Sequence, residues 1–145
     1  MASKFKECTE KGLLRKIPPS EENCIRSINN AKKWLREAEK SFRNSAYLSS
    51  LLGSYLAMFH SARAILFRDG YREKSHYCLA RYLEEKYVKT GKLEKEWVEL
   101  LDYYREIRHD NQYGLTFIVV QKEVKEALDS AKKFLKRIEE ITNER

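Results

Sequence analysis

Apolar residues recur at steps of three and four positions through two long segments, and this spacing restricts the fold more than any other feature. In the first segment, residues 21–44, the positions are Ile25, Ile28, Ala31, Leu35, Ala38 and Phe42. In the second, residues 121–141, they are Val124, Ala127, Leu128, Ala131, Phe134, Leu135, Ile138 and Ile141. This period places the apolar side chains on one face of an α-helix. The sequence therefore predicts two long amphipathic helices.

A third segment, residues 47–67, is apolar around most of its circumference when drawn as a helix. A helix of that kind is buried on all sides, so we expect it at the centre of the fold. Asp69-Gly70 marks its end, because glycine is the usual residue just past a helix C-terminus.

Two further helices are predicted, over residues 75–89 and 93–108, with Thr90-Gly91 between them. The segment His109–Thr116 contains Asp, Asn and Gly and predicts a loop. Leu115–Val120 is the one strand-like stretch. A single short strand does not make a sheet, so we interpret it as an extended connector packed on the helices.

Residues 1–19 form a prefix, in which Lys4–Lys11 predicts a short helix that stops at Gly12. Pro18-Pro19 then interrupts the chain, and Ser20 is a natural N-cap for the first long helix. With only 5 Gly and 2 Pro in 145 residues, we predict an all-α bundle of about five helices over residues 20–145.

Cysteine usage and hydropathy suggest a compartment. Cys8, Cys24 and Cys78 are odd in number, widely spaced and without a C-x-x-C pair. We therefore expect no disulfide framework, no zinc or redox motif, and a reducing cytoplasmic setting. The first residues show no apolar signal-peptide core, and no apolar run is long enough for a membrane span.

The net charge of +7 has two interpretations. A basic chain attracts polyanions such as RNA or DNA. A Lys- and Glu-rich surface, as in heat-adapted proteins, gives a similar composition. The charge alone leaves both open.

Several enzyme classes lack their motifs. The sequence has neither glycine-rich phosphate loop, and it has no G-x-S-x-G or H-E-x-x-H. His60, His76 and His109 lie in three different segments. We therefore expect no metal site and no cofactor.

The densest polar constellation runs from Tyr103 to Tyr113. Arg105 and His109 are four positions apart, so a continuing helix would place them on one face. Arginine neutralises phosphate charge and histidine transfers protons, which favours a phosphate site here. The competing interpretation is structural, because a helix C-terminus favours basic residues and Asp110 and Asn111 are ordinary turn residues.

Two other polar positions have structural interpretations. Arg63 lies inside the central apolar helix, and a buried arginine needs a partner. We predict an ion pair with an acidic residue of a neighbouring helix. In Lys74-Ser75-His76, we predict that Ser75 is the N-cap of the following helix.

Four stretches resemble the HEPN domain proteins of bacteria and archaea. Residues 55–66, Y-L-A-M-F-H-S-A-R-A-I-L, resemble the family helix Y-Y-A-x-F-x-A-A-R-A-L-L. Residues 74–76, K-S-H, resemble its K-T-H element, and residues 88–92 resemble the segment between its next two helices. Residues 108–113, R-H-D-N-Q-Y, resemble its R-x-x-A-D-Y signature. Within the family, the chain looks like the small stand-alone archaeal branch related to the C-terminal domain of sacsin.

The resemblance implies an antiparallel helical bundle that forms homodimers and binds RNA or nucleotides. Active members are metal-independent endoribonucleases with an R-x(4–6)-H motif, and many pair with a nucleotidyltransferase as toxin and antitoxin. Arg108 matches the motif arginine, but Tyr113 occupies the first position allowed for the histidine.

On this resemblance, the catalytic candidates are Arg108 and His109. Arg105, Asp110 and Tyr113 are the candidates for binding RNA or nucleotide, and Tyr113 is also the candidate for modification by the partner enzyme. The alternative function is a non-catalytic helical module that binds another protein.

Overall fold

The computed structural model describes residues 3–114 and 120–143. Within them lie six α-helices and two short strands. The helices are α1 (Lys4–Glu10), α2 (Glu21–Arg43), α3 (Tyr47–Asp69), α4 (His76–Leu83), α5 (Lys95–Tyr113) and α6 (Gln121–Asn143). A π-helical turn, Glu84–Val88, continues α4, and the strands are β1 (Leu14–Lys16) and β2 (Tyr71–Glu73).

The all-α prediction is confirmed, with α3 at the centre. Its buried residues point in every direction around the helix, from Ser50 and Leu51 to Ile65 and Leu66. All eight apolar positions predicted for α6 are buried against the rest of the bundle. Burial of these apolar surfaces, with α3 packed against both α2 and α6, contributes a large part of the driving force for the fold.

Helices α2 and α3 form an antiparallel pair that packs very closely. The Ser20 hydroxyl caps α2 by accepting a hydrogen bond from the Asn23 backbone N–H at 3.0 Å. A side chain on Gly53 would approach the Ala38 Cβ to 3.1 Å, so glycine and alanine are what permit the close packing. Ile25 differs from its prediction: it is 54% exposed, because Cys24 and Ile28 take the buried face of the first turns.

The N-terminal prefix is attached to the bundle by a two-stranded antiparallel sheet, in which Leu14 lies opposite Glu73. This sheet is not predictable from the sequence, since three-residue strands are too short to show an alternating pattern. Gly70, with φ of 89°, leads from α3 into β2. A Cβ there would lie 2.7 Å from the Ile17 carbonyl oxygen, so only glycine fits.

The expectation of no disulfide was wrong. Cys8 on α1 and Cys78 on α4 are bonded, with their Cα atoms 5.8 Å apart. Packing of α1 on α4 brings together two cysteines that are 70 residues apart in sequence, and no local motif reveals such a pairing. Cysteine usage is therefore no argument for a reducing compartment. Cys24 is free and buried.

The end predicted for the helix over residues 93–108 was also wrong. Helix α5 continues through His109–Tyr113 and stops at Gly114. The Asn111 side chain donates a hydrogen bond to the Ile107 carbonyl at 2.9 Å, so a residue typical of turns supports the helix here. Most of the predicted connector Leu115–Val120 lies outside the described residues. Among the described helices, none is long and apolar enough to cross a membrane.

Candidate phosphate-binding site

The last turns of α5 bring four of the predicted site residues to one open groove. Arg105, Arg108, His109 and Asp110 line it together with Glu106. Tyr113 extends the same face, with its ring centroid 5.1 Å from that of His109. The extension of α5 past Arg108 is what produces this arrangement, because positions three and four apart share a helix face.

Arg108 is half-buried, and its charge is not neutralised by an ion pair with any residue that the structure describes. Its guanidinium carbon lies 4.9 Å from the centroid of the Tyr55 ring on α3. Its Nε is buried without a hydrogen-bond partner. Within residues 3–114 and 120–143, no carboxylate lies within salt-bridge distance of it. A guanidinium in this state is a ready donor for an oxyanion.

Arg105 is held differently. Its Nη1 lies 2.5 Å from Oδ1 of Asp102, whose other carboxylate oxygen accepts a short hydrogen bond from Arg81. Its guanidinium carbon lies 5.4 Å from the Tyr77 ring centroid. Arg105 is therefore fixed in position, with much of its charge balanced by Asp102.

His76, at the start of α4, belongs to the same cluster and was not among the predicted site residues. Its Nδ1 is hydrogen-bonded to the Tyr55 hydroxyl at 2.9 Å. Its ring stacks on Phe59 at 4.0 Å between centroids. The K-S-H element was the sequence signal for it. We used that element for the family resemblance and for the Ser75 N-cap, which is confirmed, and assigned no role to His76.

Burial keeps the His76–Tyr55 pair neutral near pH 7, while the nearby positive charge favours the neutral form of His76 only. Burial lowers the pKa of His76 to about 4, with the positive charge of Arg108 the next cause. Burial raises the pKa of Tyr55 to about 12, and Arg108 opposes that rise. The same charge therefore acts on both members of the pair.

Arg63 forms its ion pair with β2 rather than with a neighbouring helix. Its Nε and Nη2 lie 2.7 and 2.5 Å from Oε1 of Glu73. Glu73 is only 5% exposed, and the Arg63 guanidinium carbon lies 4.5 Å from the Phe59 ring centroid. The pair allows two opposite charges to sit at the edge of the core.

Comparison with known proteins adds the family. A family model of the HEPN domain matches residues 26–141. The chain belongs to the HEPN domain family. This HEPN chain is also similar to the UPF0332 protein of Thermotoga maritima, with 27% identity over 111 residues that cover 77% of this chain and 84% of that protein. The region that the HEPN family model matches begins in α2 and ends in α6, so it contains Tyr55, His76 and Arg108.

Proposed function

We propose that this HEPN protein binds RNA or nucleotides through their phosphate groups in the groove of α5. The observation that carries the proposal is Arg108, a half-buried guanidinium that opens on the groove and has no carboxylate to neutralise it within the described residues. The net charge of +7 adds long-range attraction for a polyanion.

Metal-independent RNA cleavage is the catalytic part of the proposal. The 2′-hydroxyl attacks the adjacent phosphorus and the bond to the 5′-oxygen breaks, which leaves a 2′,3′-cyclic phosphate. His109, exposed on the groove, takes the proton from the 2′-hydroxyl, while Arg108 stabilises the charge that grows on the phosphate oxygens. The His109 imidazolium then gives that proton to the departing 5′-oxygen. The carboxylate of Asp110 lies beside His109, with Oδ1 3.9 Å from His109 Nδ1.

The biological part of the proposal is a toxin-like role beside a nucleotidyltransferase antitoxin in the cytoplasm, with the chain acting as a homodimer. Tyr113 is 65% exposed, so a partner enzyme would reach its hydroxyl. The phenolic oxygen would attack the α-phosphorus of a nucleoside triphosphate and release pyrophosphate. We also propose that the chain belongs to the small stand-alone archaeal branch of the family, which is related to the C-terminal domain of sacsin. Light scattering that shows only monomer at micromolar concentration would rule out the proposed homodimer.

A non-catalytic interaction module is the second candidate. Tyr113 stands at the first position that the nuclease motif allows for its histidine, and Tyr103, 52% exposed, adds a second accessible aromatic ring to α5. This candidate predicts capture of a protein partner without any RNA cleavage.

An RNA-binding and cleavage assay in EDTA tests the proposal. Wild type is compared with Arg108→Ala, His109→Ala and Arg36→Ala, the last of which removes one exposed positive charge from α2. We expect Arg108→Ala to weaken binding by more than tenfold, His109→Ala to remove cleavage, and Arg36→Ala to change little. Equal losses in the two arginine variants would show that binding follows net charge and not this groove.

A further inference from the structure

Buried polar atoms without partners gather around the layer formed by Phe59 and His76. Among the described residues, they include His60 Nδ1, Glu73 Oε2 and Arg108 Nε. The His60 ring lies 5.4 Å from that of Phe59, and Glu73 holds Arg63 over the same ring. Folded proteins pair nearly all such atoms, so a cluster of unpaired ones indicates a place where a ligand or water completes the site.

The hydrogen-bond arrangement fixes which nitrogen of His76 carries the proton. Tyr55 is 1% exposed, and His76 Nδ1 is its hydroxyl's hydrogen-bond partner in the described chain. A proton on Nδ1 would leave the buried Tyr55 O–H without an acceptor, which is costly. Tyr55 therefore donates to Nδ1, and the neutral ring of His76 carries its proton on Nε2.

Nε2 of His76 is not fully buried. The residue as a whole is partly exposed, and within the described residues Nε2 is neither among the buried atoms lacking a partner nor engaged in a hydrogen bond. It is thus an N–H donor that reaches solvent and is held in place by stacking on Phe59 and by the bond to Tyr55. His109 lacks such support, since its side chain is 65% exposed.

The surrounding charges suit an anion. Glu73 is engaged by Arg63, and Asp102 by Arg81 and Arg105. Of the arginines around His76, Arg108 is the one without a carboxylate partner in the described residues. Arg108 packs over the Tyr55 ring while His76 is bonded to the hydroxyl of that ring, so one tyrosine positions both donors.

We propose that the Nε2–H of His76 and the guanidinium of Arg108 together bind one phosphate group, the phosphodiester of RNA or the phosphomonoester of a nucleotide. The inference rests on the proposed function for its ligand, and it changes the residue set: His76 on α4, not only the face of α5, contacts the phosphate. Tyr55 is the positioning residue for both donors.

The three histidines allow a direct test by NMR. In protein labelled with ¹⁵N at the histidine rings, His60, His76 and His109 give three sets of ring signals, which single His→Gln variants assign. A single-stranded RNA and, separately, inorganic phosphate are titrated in. We expect Nε2 of His76 to shift with both probes and the pKa of His76 to rise from about 4, because a bound anion favours the imidazolium.

Variants separate a binding role from a structural one. We expect His76→Ala to weaken RNA affinity roughly tenfold, as for the loss of one hydrogen bond to a charged group. His76→Gln keeps an N–H donor near the Nε2 position and should recover part of that affinity. Tyr55→Phe should weaken affinity less than His76→Ala, and circular dichroism checks that each variant is folded.

The outcomes distinguish this inference from the proposed function. If RNA binds, Arg108→Ala abolishes binding and the His76 signals stay fixed, the inference fails and the function stands. If RNA does not bind but phosphate shifts His76, the anion site stands and the RNA function fails. If neither probe moves His76, the inference fails whatever RNA does. Loss of affinity in His76→Ala without any recovery in His76→Gln would also count against a donor role.

Discussion

Two regions of this HEPN protein use the same residue types for opposite purposes. In the first region, around β2 and the start of α4, Arg63 lies over the Phe59 ring and is neutralised by Glu73. At the end of α5, Arg108 lies over another aromatic ring of α3, at a similar distance, and no described carboxylate pairs with it. The first region is also joined by a sheet and a disulfide. From this difference we expect the first arginine to serve stability, whereas the second is the one that our proposal assigns to ligand binding.

The largest effect is expected where the first region is joined covalently. Reduction of Cys8–Cys78 opens a closed loop of 70 residues, which corresponds to about 4 kcal/mol of unfolding free energy in the chain-entropy account. Urea unfolding with and without a reductant measures it. The Cys8→Ser/Cys78→Ser variant is the control, since its stability should not respond to the reductant. Identical curves for wild type in both conditions would show that the bond does not stabilise the fold.

Substitution of Arg63 and of Arg108 by alanine compares the contributions of the two arginines to stability directly. Arg63→Ala leaves Glu73 buried and unpaired, so we expect a loss of about 3 kcal/mol in unfolding free energy. Arg108→Ala removes a cation over a ring and no ion pair, and we expect a loss of about 1 kcal/mol or less. The double variant Arg63→Met/Glu73→Leu should recover most of the stability lost by Arg63→Ala. Equal losses in the two single variants would erase the distinction between the regions.

A pH titration of stability tests the two partly buried histidines, His60 and His76. Burial lowers the pKa of His60, with Arg63 contributing, and that of His76, each to about 4. The unfolded chain therefore binds more protons, and stability is lost as the pH falls from about 6.5 towards 4. After allowance for partial exposure, we expect about 1 kcal/mol from each.

Substitution of each histidine by glutamine supplies the control for that titration. His60→Gln and His76→Gln should each flatten the stability profile between pH 6.5 and about 4, the value to which their pKa falls. A profile that keeps the wild-type slope in both variants would contradict the burial assigned to these two histidines.

The same contrast explains which parts of the structure could be predicted from the sequence. The long helices are repetitive, so the apolar period of α6 and the all-round apolar surface of α3 were sufficient to place them. The two-stranded sheet, the Cys8–Cys78 bond and the Arg63–Glu73 pair each join distant segments through a few residues, and none leaves a local pattern. Glu73 was missed as a partner for that reason.

The arrangement of the candidate site was predicted in part, again for a local reason. Arg105, Arg108, His109 and Asp110 are close in sequence, and a helix was enough to bring them to one groove. The turn propensities of Asp110 and Asn111 argued wrongly for a loop, since the helix continues with Asn111 bonded to Ile107. His76 reaches the cluster only through the packing of α4 on α3, which the spacing of residues does not reveal.

The smallest expected effect concerns the salt dependence of RNA binding, and it tests the comparison at the level of single charges. RNA affinity should fall steeply with salt for wild type, because basic groups release counterions when they meet phosphates. If Arg108 makes one phosphate contact, Arg108→Ala should lower the slope of log affinity against log salt by about 1. Arg63 is already neutralised by Glu73, so a folded Arg63→Gln/Glu73→Gln variant should keep the wild-type slope. A reduced slope in that variant would mean that the ion pair opens to meet RNA, and the division between a structural and a binding arginine would then be wrong.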